Sequence, residues 1–348
     1  MCYAVEMHDT ETICDLLLHV EDEQDDILLA FSTAVQNGNP DVVRLFIETG
    51  HVNIDEPDLM FGETALMHSV RYGHLSLVKY LLQNQANINQ ISSVNGVTAL
   101  HVCVSGPERP QNNMDVLDCL LKHNEIDLEI KNHDGDTPLM KAASQIKKAE
   151  IKRLLDAGCD MHARHHIRGQ SAIHFCLLSG YFSEYPLAMT ECFRLFLEHN
   201  IDPNCQDQQG MPPIAYAVQT NKYQILCLLL FVNCDINILY RDVPTSMNYY
   251  QPLYYACARK ELRFIKTLLA AGCNFYPFYE TVCDTLMEIT KDSCDISNTP
   301  RTLKELCRIR IRSVLGCYPH RVINNIGMPK LIQDYIMLKD VIGDIEME

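Results

Sequence analysis

The sequence predicts an all-α protein, a solenoid of stacked helix pairs followed by a small helical module, and three observations carry that prediction. A short motif recurs along most of the chain, 34 to 41 residues apart. Each copy is followed by an aliphatic-rich stretch with helical period. After residue 275 the recurrence stops and a new amphipathic pattern begins. At 348 residues the chain exceeds what one ordinary core fills, so an elongated array or several domains must house its 47% hydrophobic content.

Composition narrows the class of function. With 21% charged residues the chain has the balance of a folded protein rather than a disordered one. Its formal net charge of -16 argues against non-specific binding to nucleic acid or anionic lipid. The first residues lack a basic region and run into Glu21, Asp22, Glu23, Asp25 and Asp26, so no secretory signal is expected. The apolar run Ile225–Val232 is far short of the ~20 residues a membrane helix needs. Sixteen cysteines dispersed along a chain without a signal are expected to be reduced, which places the protein in the cytoplasm, with the nucleus as the other compartment.

Residues 1–25 contain the amphipathic stretch Thr12–Val20, with Ile13, Leu16, Leu17 and Val20 apolar, and are expected to cap the array. Residues 26–275 hold the repeats. Thr64-Ala65-Leu66, Thr98-Ala99-Leu100-His101, Thr137-Pro138-Leu139, Ser171-Ala172-Ile173-His174, Pro212-Pro213-Ile214-Ala215 and Gln251-Pro252-Leu253-Tyr254 align as versions of one motif. Three residues after each aliphatic stands a small residue, Ser69, Cys103, Ala142, Cys176, Ala217 or Ala256, as close helix packing requires. Gly73 falls where a first helix should end. Leu81-Leu82, Leu154-Leu155, Leu229-Leu230 and Leu268-Leu269 mark second helices. Each unit closes in a polar turn such as Asn84-Gln85-Ala86-Asn87 or Gly158-Cys159-Asp160. An early copy, Phe31, Ala34, Gly38 and Phe46-Ile47, brings the count to seven. The aliphatics are spaced 35, 34, 39, 34, 41 and 39 residues apart. The excess is expected in loops: Ser105–Asn113 and Ser179–Thr190 between paired helices, and Ile238–Tyr250 in the last hairpin between repeats.

This pattern resembles the ankyrin repeat, a turn, Thr-Pro-Leu-His-x-Ala and two antiparallel helices. One helix pair cannot bury its apolar face alone, so neighbours bury it together and leave a long surface lined by hairpin tips and first helices. That surface is expected to bind a protein. Cys103, Cys159, Cys176, Cys234 and Cys273 occupy positions where ankyrin units carry Ala, so a packing role is expected for them.

Residues 276–299 are read as a capping helix, Thr281–Ile289, and a polar linker. At residues 300–340 Thr302 and Glu305 form a capping-box pattern that starts a helix. Leu303, Leu306, Cys307, Ile311, Val314 and Leu315 fall on one broad side of it, with Arg308 and Arg312 opposite. Thr302-Leu303-x-x-x-Cys307-x-x-x-Ile311 is similar to the elongin-binding box of the SOCS box. Ile326-Gly327-Met328-Pro329 followed by Leu331-Ile332-x-x-Tyr335-Ile336 is similar to that module's cullin-binding box. Residues 341–348 form a tail. The whole chain thus resembles the ankyrin-repeat and SOCS-box family.

The resemblance implies a substrate receptor of a ubiquitin ligase. Leu303, Leu306, Cys307 and Ile311 would bind elongin C of the elongin B/C pair, and Ile326, Met328, Pro329 and Leu331 would contact cullin-5, which brings its RING partner. Gly327 departs from the Leu-Pro-x-Pro of the family's cullin box, and Gly costs more backbone entropy on ordering than Pro. The alternative is an ankyrin scaffold with no ubiquitin role.

No enzyme, cofactor or metal site is expected. Gly-rich phosphate loops, His-Glu-x-x-His and nucleophile-elbow patterns are absent from the sequence, as is any Cys-x-x-Cys pair. His162, His165 and His166 cluster on one hairpin tip without an obvious carboxylate or thiolate. For target docking the candidates are Arg164, His165 and Arg168 on that locally basic tip, and Tyr240, Tyr249 and Tyr250 on the long hairpin, since Arg and Tyr are favoured at interfaces.

Overall fold

The structure, a computed structural model, describes residues 4–5, 12–13, 24–106, 113–180, 186–240 and 250–273. They form seven helix pairs: α1 (Gln24–Asn37) with α2 (Pro40–Glu48), α3 (Ala65–Arg71) with α4 (Leu75–Gln83), α5 (Ala99–Ser105) with α6 (Asn113–Leu121), α7 (Pro138–Ser144) with α8 (Lys148–Asp156), α9 (Ala172–Leu178) with α10 (Pro186–Glu198), α11 (Pro213–Gln219) with α12 (Tyr223–Phe231), and α13 (Pro252–Ala258) with α14 (Leu262–Ala271). Among the described residues the only extended pairing is one antiparallel bridge, Tyr240 to Tyr250. The fold is all-α.

Two compact units divide the chain, residues 1–167 and 168–348. In the first, α1, α3, α5 and α7 pack in succession, and α2, α4, α6 and α8 form a second layer beside them. In the second, α9, α11 and α13 stack in the same manner, with α10 packed on α12. The core lies between the layers. Phe46, Leu77, Leu117 and Ile151 are fully buried in the first unit, and Phe193, Phe196, Leu229 and Phe264 in the second. Each such side chain contributes about 1.5–3 kcal/mol relative to leaving it in water.

The recurring motif works as a helix start. Thr64, Thr98 and Thr137 are extended N-caps whose hydroxyls accept from the third amide of the helix, Met67 N, His101 N and Met140 N, at 3.4, 3.4 and 3.3 Å. Where the cap is Pro212 or Gln251, with no side-chain bond, Pro213 or Pro252 at the first helical position fixes φ instead. Five of the seven first helices end on a left-handed residue: Gly38, Gly73, Ile146, Asn221 and Lys260 all have φ between 56° and 74°, whereas α5 and α9 end at Gly106 and Ser179 with φ of -57° and -55°. Gly73 therefore stops its helix at the position its spacing indicates.

The loop expectations need one correction. Ser179–Thr190 is not all turn, because Pro186 starts a helix and α10 runs 13 residues against the 9 of α8 or α12. Part of the surplus thus adds a helical turn, with Met189 and Thr190 buried in it. At the other long turn, Asn113 opens α6 and reaches back across the gap: its Nδ2 donates to Cys103 O at 3.0 Å, and the Cys103 thiol donates to its Oδ1 at 3.3 Å. Of the two expected caps, Ile13 is described and fully buried. Thr281–Ile289 lies outside the described residues.

Candidate functional site

The hairpins between repeats carry several exposed side chains, Leu59, Met60, Phe61, Ile91, Val94 and Ile167 among them, and their geometry follows from a few side chains. In the first unit Asp58 opens a tip: its amide donates to Glu63 O at 2.8 Å, and its Oδ1 accepts from the amides of Phe61 and Glu63 at 2.9 and 3.0 Å. Asn132 repeats this on Asp136, with 2.8 Å from Asp136 N to its Oδ1. In the second unit Asp207 holds Gln209 and Met211 by the same bonds, both 2.8 Å. Successive tips are stitched by backbone bonds, Ser93 N to Gly62 O at 3.3 Å and His133 N to Asn95 O at 3.0 Å. Gly96 and Gly135 sit left-handed on the tips with the imidazoles of His133 and His166 against them, so a Cβ at either place would collide with a ring.

Electrostatics separate the tips. Burial, the largest influence on Asp58, pushes its carboxyl up, but the amides of Glu63 and Phe61 together with His68 outweigh it and hold the group below its ordinary 3.8. His68 Nε2 lies 2.8 Å from Asp58 Oδ2, and its Nδ1 is 4.0 Å from Glu63 Oε2. Glu63 is also paired with the half-exposed Arg71, whose Nε donates to it at 3.2 Å. A small cleft opens here between α1 and the hairpin.

The candidate docking residues do not all face outward. Arg164, His166 and Arg168 are exposed, but His165 is only 8% exposed, stacked on His166 at 5.0 Å and 3.9 Å from an Asp136 oxygen. Tyr240 is 1% exposed and stacks on Tyr255 at 6.1 Å. Tyr250 is half-buried against Tyr254 at 4.8 Å and against Tyr255. Tyr240 and Tyr250, at the two described ends of the long hairpin, thus pack onto α13. Tyr249 lies outside the described residues. So do the elongin-box residues Leu303, Leu306, Cys307 and Ile311 and the cullin-box residues Ile326, Met328, Pro329 and Leu331. Spacing alone does not single out Leu59, Met60 and Phe61, which are exposed in succession on one tip. Three adjacent apolar residues inside a turn were the available signal.

No group of three or more His, Cys, Asp or Glu among the described residues is arranged to hold a metal ion. No disulfide joins the ten described cysteines, and nine of them are buried. Burial raises the thiols of Cys159 and Cys227 to about 12 and that of Cys257 to about 11, which suits packing and not nucleophilic chemistry. No described helix is long and apolar enough to cross a membrane.

Comparison with known proteins agrees with this geometry. The family profile of ankyrin repeats matches residues 1–92, 31–110, 100–185, 148–240 and 188–279, and that of the SOCS box matches residues 299–337. Human neurogenic locus notch homolog protein 1 is 32% identical over 136 residues, which are 39% of this chain and 5% of that protein. An ankyrin repeat protein of Fowlpox virus (strain NVSL) is 30% identical over 192 residues, 55% of this chain and 43% of that protein. The chain thus spans less than half the length of these relatives. The crystal structure of the ankyrin repeat domain of Bcl-3 superposes with a TM-score of 0.56 at 23% identity, covering 69% of this chain and 96% of that one, a likeness of fold. With ankyrin repeats matched as far as residue 279 and a SOCS box after them, the chain belongs to the ankyrin-repeat and SOCS-box family.

Proposed function

We propose that the chain is the substrate-recognition subunit of a cullin-RING ubiquitin ligase, holding a target protein on its ankyrin repeats and elongin C on its SOCS box. Elongin B, cullin-5 and a RING partner complete the assembly. The observation that carries this reading is the presence in one chain of a protein-binding array and, after it, a SOCS box. The chain performs no chemistry of its own; it contributes proximity, raising the effective concentration of a target lysine near the charged ubiquitin carrier. Buried, reduced thiols accord with a cytoplasmic assembly.

Within the array, Arg164 and Arg168 are the exposed members of the candidate docking set, and Tyr250 is its half-buried member. His165 and Tyr240 act through packing, holding their hairpins in shape.

The test uses two residues four apart in the sequence of the SOCS box, Leu303 and Cys307. Burying a leucine stabilises by about 1.5–3 kcal/mol and a buried charge adds a desolvation cost, so Leu303→Asp with Cys307→Asp should cost at least about 3 kcal/mol in elongin binding. That is more than about a hundredfold in affinity. Co-purification of elongins B and C should collapse while target capture persists. If elongins are retained and the target is lost, these residues build an ankyrin cap, and the chain is a scaffold with no ubiquitin role.

A further inference from the structure

The hairpin at residues 53–63 differs chemically from its neighbours. At its tip Leu59, Met60 and Phe61 stand 62%, 72% and 54% exposed in succession, and the next tip adds Ile91 at 48% and Val94 at 63%. Ser92 Oγ donates to Phe61 O at 2.8 Å and Ser93 N to Gly62 O at 3.3 Å, so the two tips lie side by side and present these side chains together. Single exposed apolar groups are ordinary, whereas a run of three in water marks a contact surface. The tip is also held in shape by the three bonds of Asp58, so little ordering entropy opposes binding there.

Beside the tip is the cleft, lined by Phe31 and Val35 of α1 on one side and by Glu56, Asp58, Glu63 and His68 on the other. The stretch 53–63 contains the carboxylates Asp55, Glu56, Asp58 and Glu63 and no Lys or Arg. Glu63 is paired with Arg71 and Asp58 with His68. Apolar tip and acidic cleft therefore adjoin, in a chain whose net charge of -16 draws cationic segments from a distance.

We propose that this surface docks an extended segment of the target protein in which large apolar side chains are flanked by Arg or Lys. The apolar groups settle on Leu59, Met60 and Phe61, with Ile91 and Val94 extending the contact, and a flanking cation rests against Glu56 at the rim of the cleft. The inference rests on the reading of the array as the target-binding part of the chain.

The probe is a set of short fluorescein-labelled peptides with a central Leu-Phe pair flanked by Arg and Lys, titrated with the full chain and read by anisotropy. Matched peptides carry Asp and Glu flanks, or a Ser-Ser centre with basic flanks. The basic, apolar peptide should bind at least about tenfold more tightly than either control. Met60→Ser with Phe61→Ser should remove about tenfold of that affinity, and Glu56→Lys should abolish the preference for basic flanks. Melting temperatures and elongin co-purification should not change, because these side chains lie outside the core and far in sequence from the SOCS box; if Glu56→Lys lowers the melt, Glu56→Gln replaces it. Equal binding of all three peptides, or binding unmoved by the tip substitutions, overturns the proposal. A wild-type chain that keeps the basic-apolar preference but captures no elongin supports this site and counts against the ligase reading.

Discussion

His101 shows how one side chain can carry both a helix start and a contact between repeats. Its Nδ1 accepts from the amide of Thr98 at 3.3 Å, so the proton of the neutral ring sits on Nε2, which donates to Asp136 O at 2.9 Å. The Thr98 hydroxyl lies 2.9 Å from the same Nδ1, and that nitrogen can accept only while the ring is uncharged. Burial, chiefly, lowers its pKa below the ordinary 6.5. The unfolded chain therefore binds a proton at mildly acidic pH that the folded one resists, so the contribution of His101 is present above pH 6.5 and is lost as pH falls through the folded pKa. The urea midpoint should drop between pH 7.5 and pH 5.5, roughly the interval around the histidine pKa. His101→Gln should be less stable at the higher pH, with a smaller drop between the two. Identical drops in both proteins would mean that other groups set the acid limb.

At the scale of elements, the turns between paired helices do a second job that the repeat pattern does not reveal. A donor at or near the start of a second helix reaches back to a carbonyl at the end of the preceding repeat's first helix. His74 Nε2 lies 2.8 Å from Gln36 O, Lys147 Nζ donates to Gly106 O at 2.7 Å, Lys222 Nζ donates to Leu177 O, and Arg259 Nη1 donates to Gln219 O at 2.7 Å. Each donor satisfies a helix-end carbonyl, and a cation there also favours the negative end of the helix dipole. The residue types vary among His, Lys and Arg, which is why a pattern search for one letter misses the device. Lys147→Met should remove about 1 kcal/mol of stability, discounted for partial exposure, whereas Lys152→Met on the exposed side of the same helix should stay within about 0.5 kcal/mol. Denaturant curves of the two variants with equal slopes would measure the difference, and equal midpoints would reduce the bond to an incidental contact.

For the whole molecule, the parts written in periodic spacing are legible in the sequence. Thr64, Thr98 and Thr137, the small residues three past each aliphatic, and the Leu-Leu pairs all report local helix geometry, so the seven pairs could be read off the chain. Surface chemistry was less legible, because exposure depends on what packs against a tip. His165 and Tyr240 have the composition of interface residues, yet neighbouring hairpins and α13 cover them, and the exposed run Leu59–Phe61 lies where spacing is silent. The cysteines were readable because their positions fall on the packing grid, and their burial gives a readout of the molecule's integrity. Burial holds Cys159 and Cys227 at about 12 and Cys257 at about 11, against 9.0 for an ordinary thiol. The unfolded chain releases these protons first, so the stability they contribute is complete below pH 9.0 and is lost as pH rises through the folded values. Lys222, lowered by burial to about 8 from 10.5, acts in the opposite direction, one amine against the five thiols that burial raises, Cys103 and Cys176 among them. The urea midpoint should therefore fall as pH is raised above 9.0, and more steeply in Lys222→Met, while Cys257→Ala flattens the fall. A thiol reagent added at neutral pH should find the buried cysteines silent until denaturant opens the repeats, and rapid labelling of Cys159 and Cys227 in the native protein would show that the packing around them is open.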